Sequence, residues 1–396
     1  MTNLCESSPS PSHASDFEGV SFLLPWISEQ ATEGVRLGVT GDFVVNQNLE
    51  ERILTEDHRP FEAIRPWAES LDLLIMTLDA TFPGDDPKSS EPRVVTGPAT
   101  LRQLPRAGIT LMNLGNNHAF DMGVSGFQQL RDELRNQGVS WVGAGENREE
   151  AEKPWVRNID GIEIAIHSAV HSGSHPRQPL SCGGQVASLE SESWWESIRH
   201  SITEGYTTIA LLHGGIQDCQ YPSVFAIEIS RKLVALGVSA VIWSHAHVVQ
   251  GGERLGKSLI AYGLGNTFYP RILGNPEDQN SNPRYDWGLL LDLTVAQNSI
   301  NAGKGLMVHR RGLQLSIGDD STLLRQQELR RLSRLLNSRF YPLIFRGIRI
   351  WEDVILHTWR YFRRDNVWRQ IRRIDYARIR GLIKSLRNAR SDPEDV

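Results

Sequence analysis

Five short apolar runs in this chain end in the same way, and that pattern constrains its fold more than any other feature. RLGVTGD, LLIMTLD, ITLMNLGNNH, TTIALLHGG and SAVIWSHAH each pass from aliphatic residues into Asp, Asn or His, at Asp42, Asp79, Asn117 with His118, His213, and His245 with His247. A strand that is apolar at consecutive positions has no side to turn to water, so it belongs in a sheet covered on both faces. EIAIHS, KSLIAYGLGN and WGLLLDL read as further strands, and Pro98–Arg106, Gly126–Gln137, Glu190–Ile202 and Val224–Leu236 as helices between them. The expected class is α/β, with the polar clusters on the C-terminal edge of the strands, where open α/β sheets bind their ligands.

Composition bounds this reading. Of 396 residues, 40% are apolar and 22% charged, the balance of a globular chain with ample material for a core. Cys5, Cys182 and Cys219 are odd in number, far apart and outside any CxxC, which argues against a disulfide framework or a thiolate zinc site and for a reducing compartment. Residues 1–33 lack the basic and apolar regions of a signal peptide, and their Ser/Pro content reads as a disordered leader. No apolar run approaches the ~18–20 residues of a membrane span. The expectation is a cytoplasmic protein.

The formal charge of −5 hides an asymmetry: the first 320 residues carry −15 and the last 76 carry +10. After Ser316 the texture turns helical, with Leu329, Leu332 and Leu336 on one face, then Ile348, Trp351, Ile355, Trp359 and Phe362, then Val367, Ile371, Ile374 and Leu382. Residues 317–396 thus read as a basic amphipathic extension. Its arginines are either solvated over a face packed on the acidic body, or directed at an anionic membrane through residues 321–390; nucleic acid ranks below both.

The chemistry lies in the strand-end clusters. Carboxylate, amide oxygen and neutral imidazole are the donors that hold divalent ions such as Mn, Fe or Zn. Each residue also has a plainer reading: Asp42 or Asp79 as a cap or turn residue, Asn117 as a turn residue with positive φ, His213 as a satisfied core histidine. Their joint occurrence behind successive strands favours a metal site.

The order of clusters resembles a known family. GD, a strand-end acid, LGNNHAFDMGVSG, HGG and AVIWSHAHVVQGGERLGKSLIAYGLGNTFY are similar, over roughly Val35–Leu293, to the CapA family of capsule and poly-gamma-glutamate biosynthesis proteins, within the calcineurin-like metallophosphoesterases. The resemblance implies a four-layer sandwich of two mixed sheets flanked by helices, and a site for two divalent ions (Mn, Fe, Zn or Mg). Asp42 and His247 would hold the first, Asp79 would bridge, and Asn117, His213 and His245 would complete the second. His118 would act as general acid or orient the substrate oxyanion, assisted by Asn117. A hydroxide between the ions would attack phosphorus or an acyl carbon of a phosphoester or glutamyl-type amide. The partners so implied are an anionic polymer or a small-molecule substrate.

The chain departs from the family pattern at several points. Val44 stands where phosphoesterases have a histidine, Asp79 where CapA proteins have a glutamate, and Gln217 where they have an acid. Those changes also suit a second reading, a catalytically degenerate scaffold that binds a polymer, membrane or partner protein. Asp121, Gln217, Glu253 and Asn266 are candidates for contacts behind the ligands or with substrate. His171 and His175 receive no role.

Overall fold

The structure is a computed structural model that describes residues 22–24, 33–55, 60–84, 94–174, 184–270, 283–318 and 322–351. Cys5, Cys182, His175, most of the expected leader and the helical stretches beyond Trp351 lie outside the described residues.

In chain order the strands begin with β1 (Phe22–Leu23), β2 (Val35–Phe43), β3 (Leu73–Leu78), β4 (Leu111–Asn113), β5 (Ser140–Val142) and β6 (Ala144–Gly145). There follow β7 (Trp155–Ile159), β8 (Ile162–Val170), β9 (Gln185–Val186), β10 (Thr207–His213), β11 (Ala240–Ser244) and β12 (Gly252–Leu255). The last are β13 (Ser258–Ala261), β14 (Asn266–Phe268), β15 (Trp287–Ala296), β16 (Ser299–Arg311) and β17 (Gln314–Ile317). The helices are α1 (Glu50–Thr55), α2 (Pro60–Ala68), α3 (Pro98–Leu101), α4 (Gly123–Asn136), α5 (Arg148–Glu152), α6 (Glu192–Thr203), α7 (Val224–Leu236), α8 (Thr322–Leu336) and α9 (Tyr341–Ile350).

Two mixed sheets result. The first runs β1-β16-β15-β2-β3-β4-β5, with β14 also on β2 and β17 on β16; the second runs β12-β13-β11-β10-β8-β7. Strands β2 to β5 are mutually parallel, as are β8, β10, β11 and β13, while β15 and β16 pair antiparallel.

The period of two explains why the strands look uniformly apolar. In β3, Leu73 and Ile75 face a core between the sheets, shared with Val35, Leu37, Val39, Ile164, Ile166, Ile209 and Ile242. Their neighbours Leu74, Met76 and Leu78 face the other way, onto Phe61, Ile64 and Trp67 of α2 and Phe127 and Leu130 of α4. On the far side, Ala210, Leu212 and Val241 meet Trp194 and Ile198 of α6 and Leu233 of α7. The layers are therefore helix, sheet, sheet, helix. Each fully buried aliphatic side chain contributes about 1.5–3 kcal/mol, so the alternating faces lock both sheets in register.

Two segments set apart by the sequence are built into this body. Phe22–Leu23, within the expected leader, pairs antiparallel with β16, and Leu24 is buried, because its side chain completes the core between the sheets. Leu329 of α8 enters the same core, Leu336 joins the core under α6 and α7, and the Gly252 N–H donates to Ser333 Oγ (3.2 Å). Among the described residues no helix is long and apolar enough to cross a membrane.

Candidate metal centre

The C-terminal ends of β2 and β3 in one sheet and of β10 and β11 in the other meet at the seam between the layers. Asp42 is the penultimate residue of β2, beyond a break in the β2–β3 register at Val39/Asp42. Gly41 before it is obligatory, since a Cβ there would stand 2.1 Å from the Gly265 carbonyl oxygen. Asp79 directly follows β3, and its N–H donates to the Phe43 carbonyl (3.2 Å), which ties the two acids together.

Asp42, Asp79 and His247 each present a ligand atom within 4.8 Å of the others, and all three are buried. His247 Nδ1 lies 3.3 Å from Asp42 Oδ2, and its Nε2 lies 3.9 Å from Asp79 Oδ2. The other Asp79 oxygen faces a second group of donors. His213 Nε2 is 3.8 Å from Asp79 Oδ1, 2.7 Å from Asn117 Oδ1 and 3.2 Å from His245 Nδ1. Asp79 thus stands between two donor sets, Asp42 with His247 and Asn117 with His213 and His245.

Neither Asp79 oxygen, nor Asp42 Oδ1, accepts a hydrogen bond, although all are buried. An ionised carboxylate without hydrogen bonds in a dry site costs several kcal/mol, unless a cation compensates it. The donor set and these open lone pairs fit a divalent ion. The same burial pushes the Asp79 carboxyl up to about 6, with His118 opposing and Asp42 reinforcing the shift. Burial also disfavours charge on His247, but the Asp42 and Asp79 carboxylates outweigh it and raise the ring to about 9. His213, buried and surrounded by His245, His247 and His118, is held well below its ordinary value and stays neutral, the form that ligates metal.

Backbone and outer contacts fix these side chains. His245 and His247 both have positive φ, 92° and 57°, a conformation that costs a non-glycine residue about 1–3 kcal/mol and recurs at functional sites. The His245 N–H donates to Asp42 Oδ2 (3.1 Å), which pins the loop after β11 to the end of β2. His213 Nδ1 lies 2.8 Å from Ser244 Oγ, and His247 Nδ1 lies 2.9 Å from Asn266 Oδ1, whose amide nitrogen donates to the Tyr285 carbonyl.

His118 sits at the partly open side, adjacent to Asn117. Its Nδ1–H donates to Asp121 Oδ2 (2.7 Å), and the same oxygen accepts from the Val94 N–H (2.8 Å). Burial opposes a proton on His118, but Asp79 and the bond to Asp121 prevail and its pKa is raised.

Seven of the sequence candidates therefore converge: Asp42, Asp79, Asn117, His118, His213, His245 and His247, with Asp121 and Asn266 behind them. Two do not. Gln217 is exposed on the loop after β10. Glu253 is held by both oxygens to Arg231 of α7 (3.0 and 2.9 Å) and accepts from the Tyr262 hydroxyl, so its charge is spent in a buried network under α7. Asn116, Tyr269 and Tyr285 escaped sequence reasoning. Asn116 accepts from the His118 N–H (2.9 Å) and donates to the Leu78 carbonyl (2.6 Å), and both tyrosine rings flank His247, at 4.8 and 5.5 Å between centroids. The doubled Asn in GNNH is the one signal that could have exposed the first; nothing local marks the tyrosines.

Comparison with known proteins identifies the family. The family described as "Bacterial capsule synthesis protein PGA_cap" matches residues 36–270, more than half of the chain. The chain belongs to that family. The capsule synthesis match contains all seven converging residues and the two behind them, whereas α8 and α9 lie beyond it. The Capsule biosynthesis protein CapA of Bacillus anthracis is 21% identical over 255 residues, covering 61% of each chain. The PGA biosynthesis protein CapA of Bacillus subtilis (strain 168) is 25% identical over 173 residues, 43% of this chain and 45% of that one. The chain thus spans less than two thirds of the length of either relative. Among solved structures, a hypothetical protein from Thermus thermophilus is 15% identical with TM-score 0.43, covering 69% of this chain and 99% of that one. A putative 5'-nucleotidase from Staphylococcus aureus is 13% identical with TM-score 0.41, covering 76% and 58%.

Proposed function

We propose that this capsule synthesis family member is a metal-dependent hydrolase or transferase that acts on a phosphoester or a glutamyl-type amide in the assembly of an anionic polymer such as poly-gamma-glutamate. The observation that carries the reading is the set of buried carboxylate oxygens that accept no hydrogen bond, both of Asp79, which face His213 and His247, and Oδ1 of Asp42. Asp42 and His247 would hold one divalent ion, Asn117, His213 and His245 a second, and Asp79 both. Bound there, the ions supply Lewis acidity and an acidified water as nucleophile.

The chain's own residues do the rest. The buried wall excludes water from the carboxylates, so charges within it interact strongly. Asp121 accepts from His118 Nδ1–H, and in the neutral ring Nε2 accepts from the Asn117 side-chain amide (3.2 Å); once protonated, the state its raised pKa favours, the ring can give its Nε2 proton to a leaving group. Asn266 and Ser244 orient His247 and His213, the role that partners behind metal ligands ordinarily play.

The test combines elemental analysis of the purified full chain with turnover of bis-p-nitrophenyl phosphate and a γ-glutamyl anilide under added Mn, Fe or Zn. Two metal equivalents and turnover of either substrate are expected, both lost in the double variant Asp79→Ala, His245→Ala. Unchanged metal content and rate in that variant would refute the proposal.

A further inference from the structure

The helices beyond the family match wall a cavity of about 430 Å³, lined among others by Asp218, Tyr221, Arg284, Arg331, Ile348 and Trp351. Contacts of its lining residues lead to the candidate metal centre. Tyr285, the neighbour of Arg284, hydrogen-bonds the Asp218 side chain, and its ring stands 5.5 Å from that of His247. The Asp218 N–H donates to the carbonyl of Ala246, the residue between the two loop histidines (3.1 Å).

The cavity is chemically two-sided. Arg284 and Arg331 enter it from different elements, the turn before β15 and helix α8, against the one carboxylate of Asp218. Arg284 lies 3.6 Å from Glu328, whose charge is shared with Arg325 (2.7 Å) and with the Gln220 amide (3.0 Å). Arg331 reaches the neutral hydroxyl of Tyr221 (3.5 Å) and makes no ion pair with a described residue. Ile348 and the exposed Trp351 of the α9 end give an apolar and aromatic side. Two planar guanidiniums beside an apolar wall suit an anionic group carried on a methylene or ring-bearing chain.

We propose that this cavity is a distal subsite that binds a carboxylate or phosphate of the same chain-like substrate whose reacting group lies at the metal centre, and that α8 and α9 complete it. The proposal rests on the metal-centre reading for its substrate, but its residues are distinct from the ligands. A polymer spanning both places would be held in register by an anion one or more units from the reacting bond.

Calorimetric titration tests it, with the full chain in Mn-loaded and chelator-treated form, against a γ-linked glutamate hexamer and inorganic triphosphate. The unmodified protein should bind at least one probe in both forms, and the probe bound identifies the anion as carboxylate or phosphate. Arg284→Gln and Arg331→Gln should each weaken binding about tenfold, the scale of one lost charged hydrogen bond, with Arg331→Lys restoring part of it. Circular dichroism confirms that each variant is folded. Arg-dependent binding in chelated protein supports the subsite even where turnover is absent, which separates it from the hydrolase reading. Equal affinity in the Gln variants, binding that disappears with the metal, or no binding of either probe by the unmodified chain would overturn it.

Discussion

Asp42 and His247 come from different sheets, yet His247 Nδ1 lies 3.3 Å from Asp42 Oδ2. Asp42 is the penultimate residue of β2 and His247 follows β11, so the centre forms only when the core between the sheets brings the two strand ends together. Stability of the metal-free body and readiness to bind metal are therefore linked, and in part opposed.

Asp79 makes the opposition measurable. Its folded-state pKa of about 6 exceeds the ordinary 3.8, so the folded chain holds its proton more tightly and ionisation near pH 7 costs stability. Asp79→Asn is expected to stabilise the metal-free protein at pH 7 by on the order of 3 kcal/mol while removing bound metal. Urea unfolding in the presence of chelator, with elemental analysis, checks both; a variant that is less stable yet fully metallated contradicts them.

The His118–Asp121 hydrogen bond gives a second expectation. Asp121→Asn retains an oxygen that can accept from both the Val94 N–H and His118 Nδ1–H but removes the carboxylate charge that favours the protonated ring. Turnover should fall about 10–100-fold with metal content unchanged. A wild-type kcat would show that His118 needs no such partner.

The loop after β11 stores strain in His245, whose φ is 92°. Glycine takes this conformation freely and alanine does not, so His245→Gly should be more stable than His245→Ala by about 1 kcal/mol, although both lose the candidate ligand. Equal melting temperatures for the pair would show that the loop relaxes.

Acid sensitivity should have a source outside the centre. Burial pushes His167 of β8 down to about 3; its Nε2 lies 2.9 Å from Ser201 Oγ and its ring stands edge-on to Trp194. The unfolded chain takes up this proton below the ordinary 6.5 and the folded chain does not, so stability is lost as pH falls from 6.5 toward 3. The loss is about 1.4 kcal/mol per pH unit, and His167→Gln should flatten the acid limb by one proton. Denaturant titrations between pH 4 and 8 read this directly; an unchanged slope would place the proton uptake elsewhere.

Much of this was legible in the sequence. The Val224–Leu236 helix is bounded as its apolar spacing predicts, with Ser223 capping one end and Gly237 in the left-handed region at the other. The ligand candidates stood out because each follows an apolar strand, and in a parallel sheet those ends lie on one edge. Glu253 looked equally available from its loop, but Arg231 and Tyr262, remote in sequence, claim it.

What the sequence by itself determined was local: which stretches are strands buried on both faces, which polar residues end them, and which helix faces are apolar. Only the tertiary structure decided that Asp79 stands between two donor sets, that Tyr269 and Tyr285 flank His247, and that α8 belongs to the body. Those relationships depend on how one sheet lies on the other, which is set by the summed packing of side chains far apart in the chain, and a period of two or 3.6 carries no record of that distance.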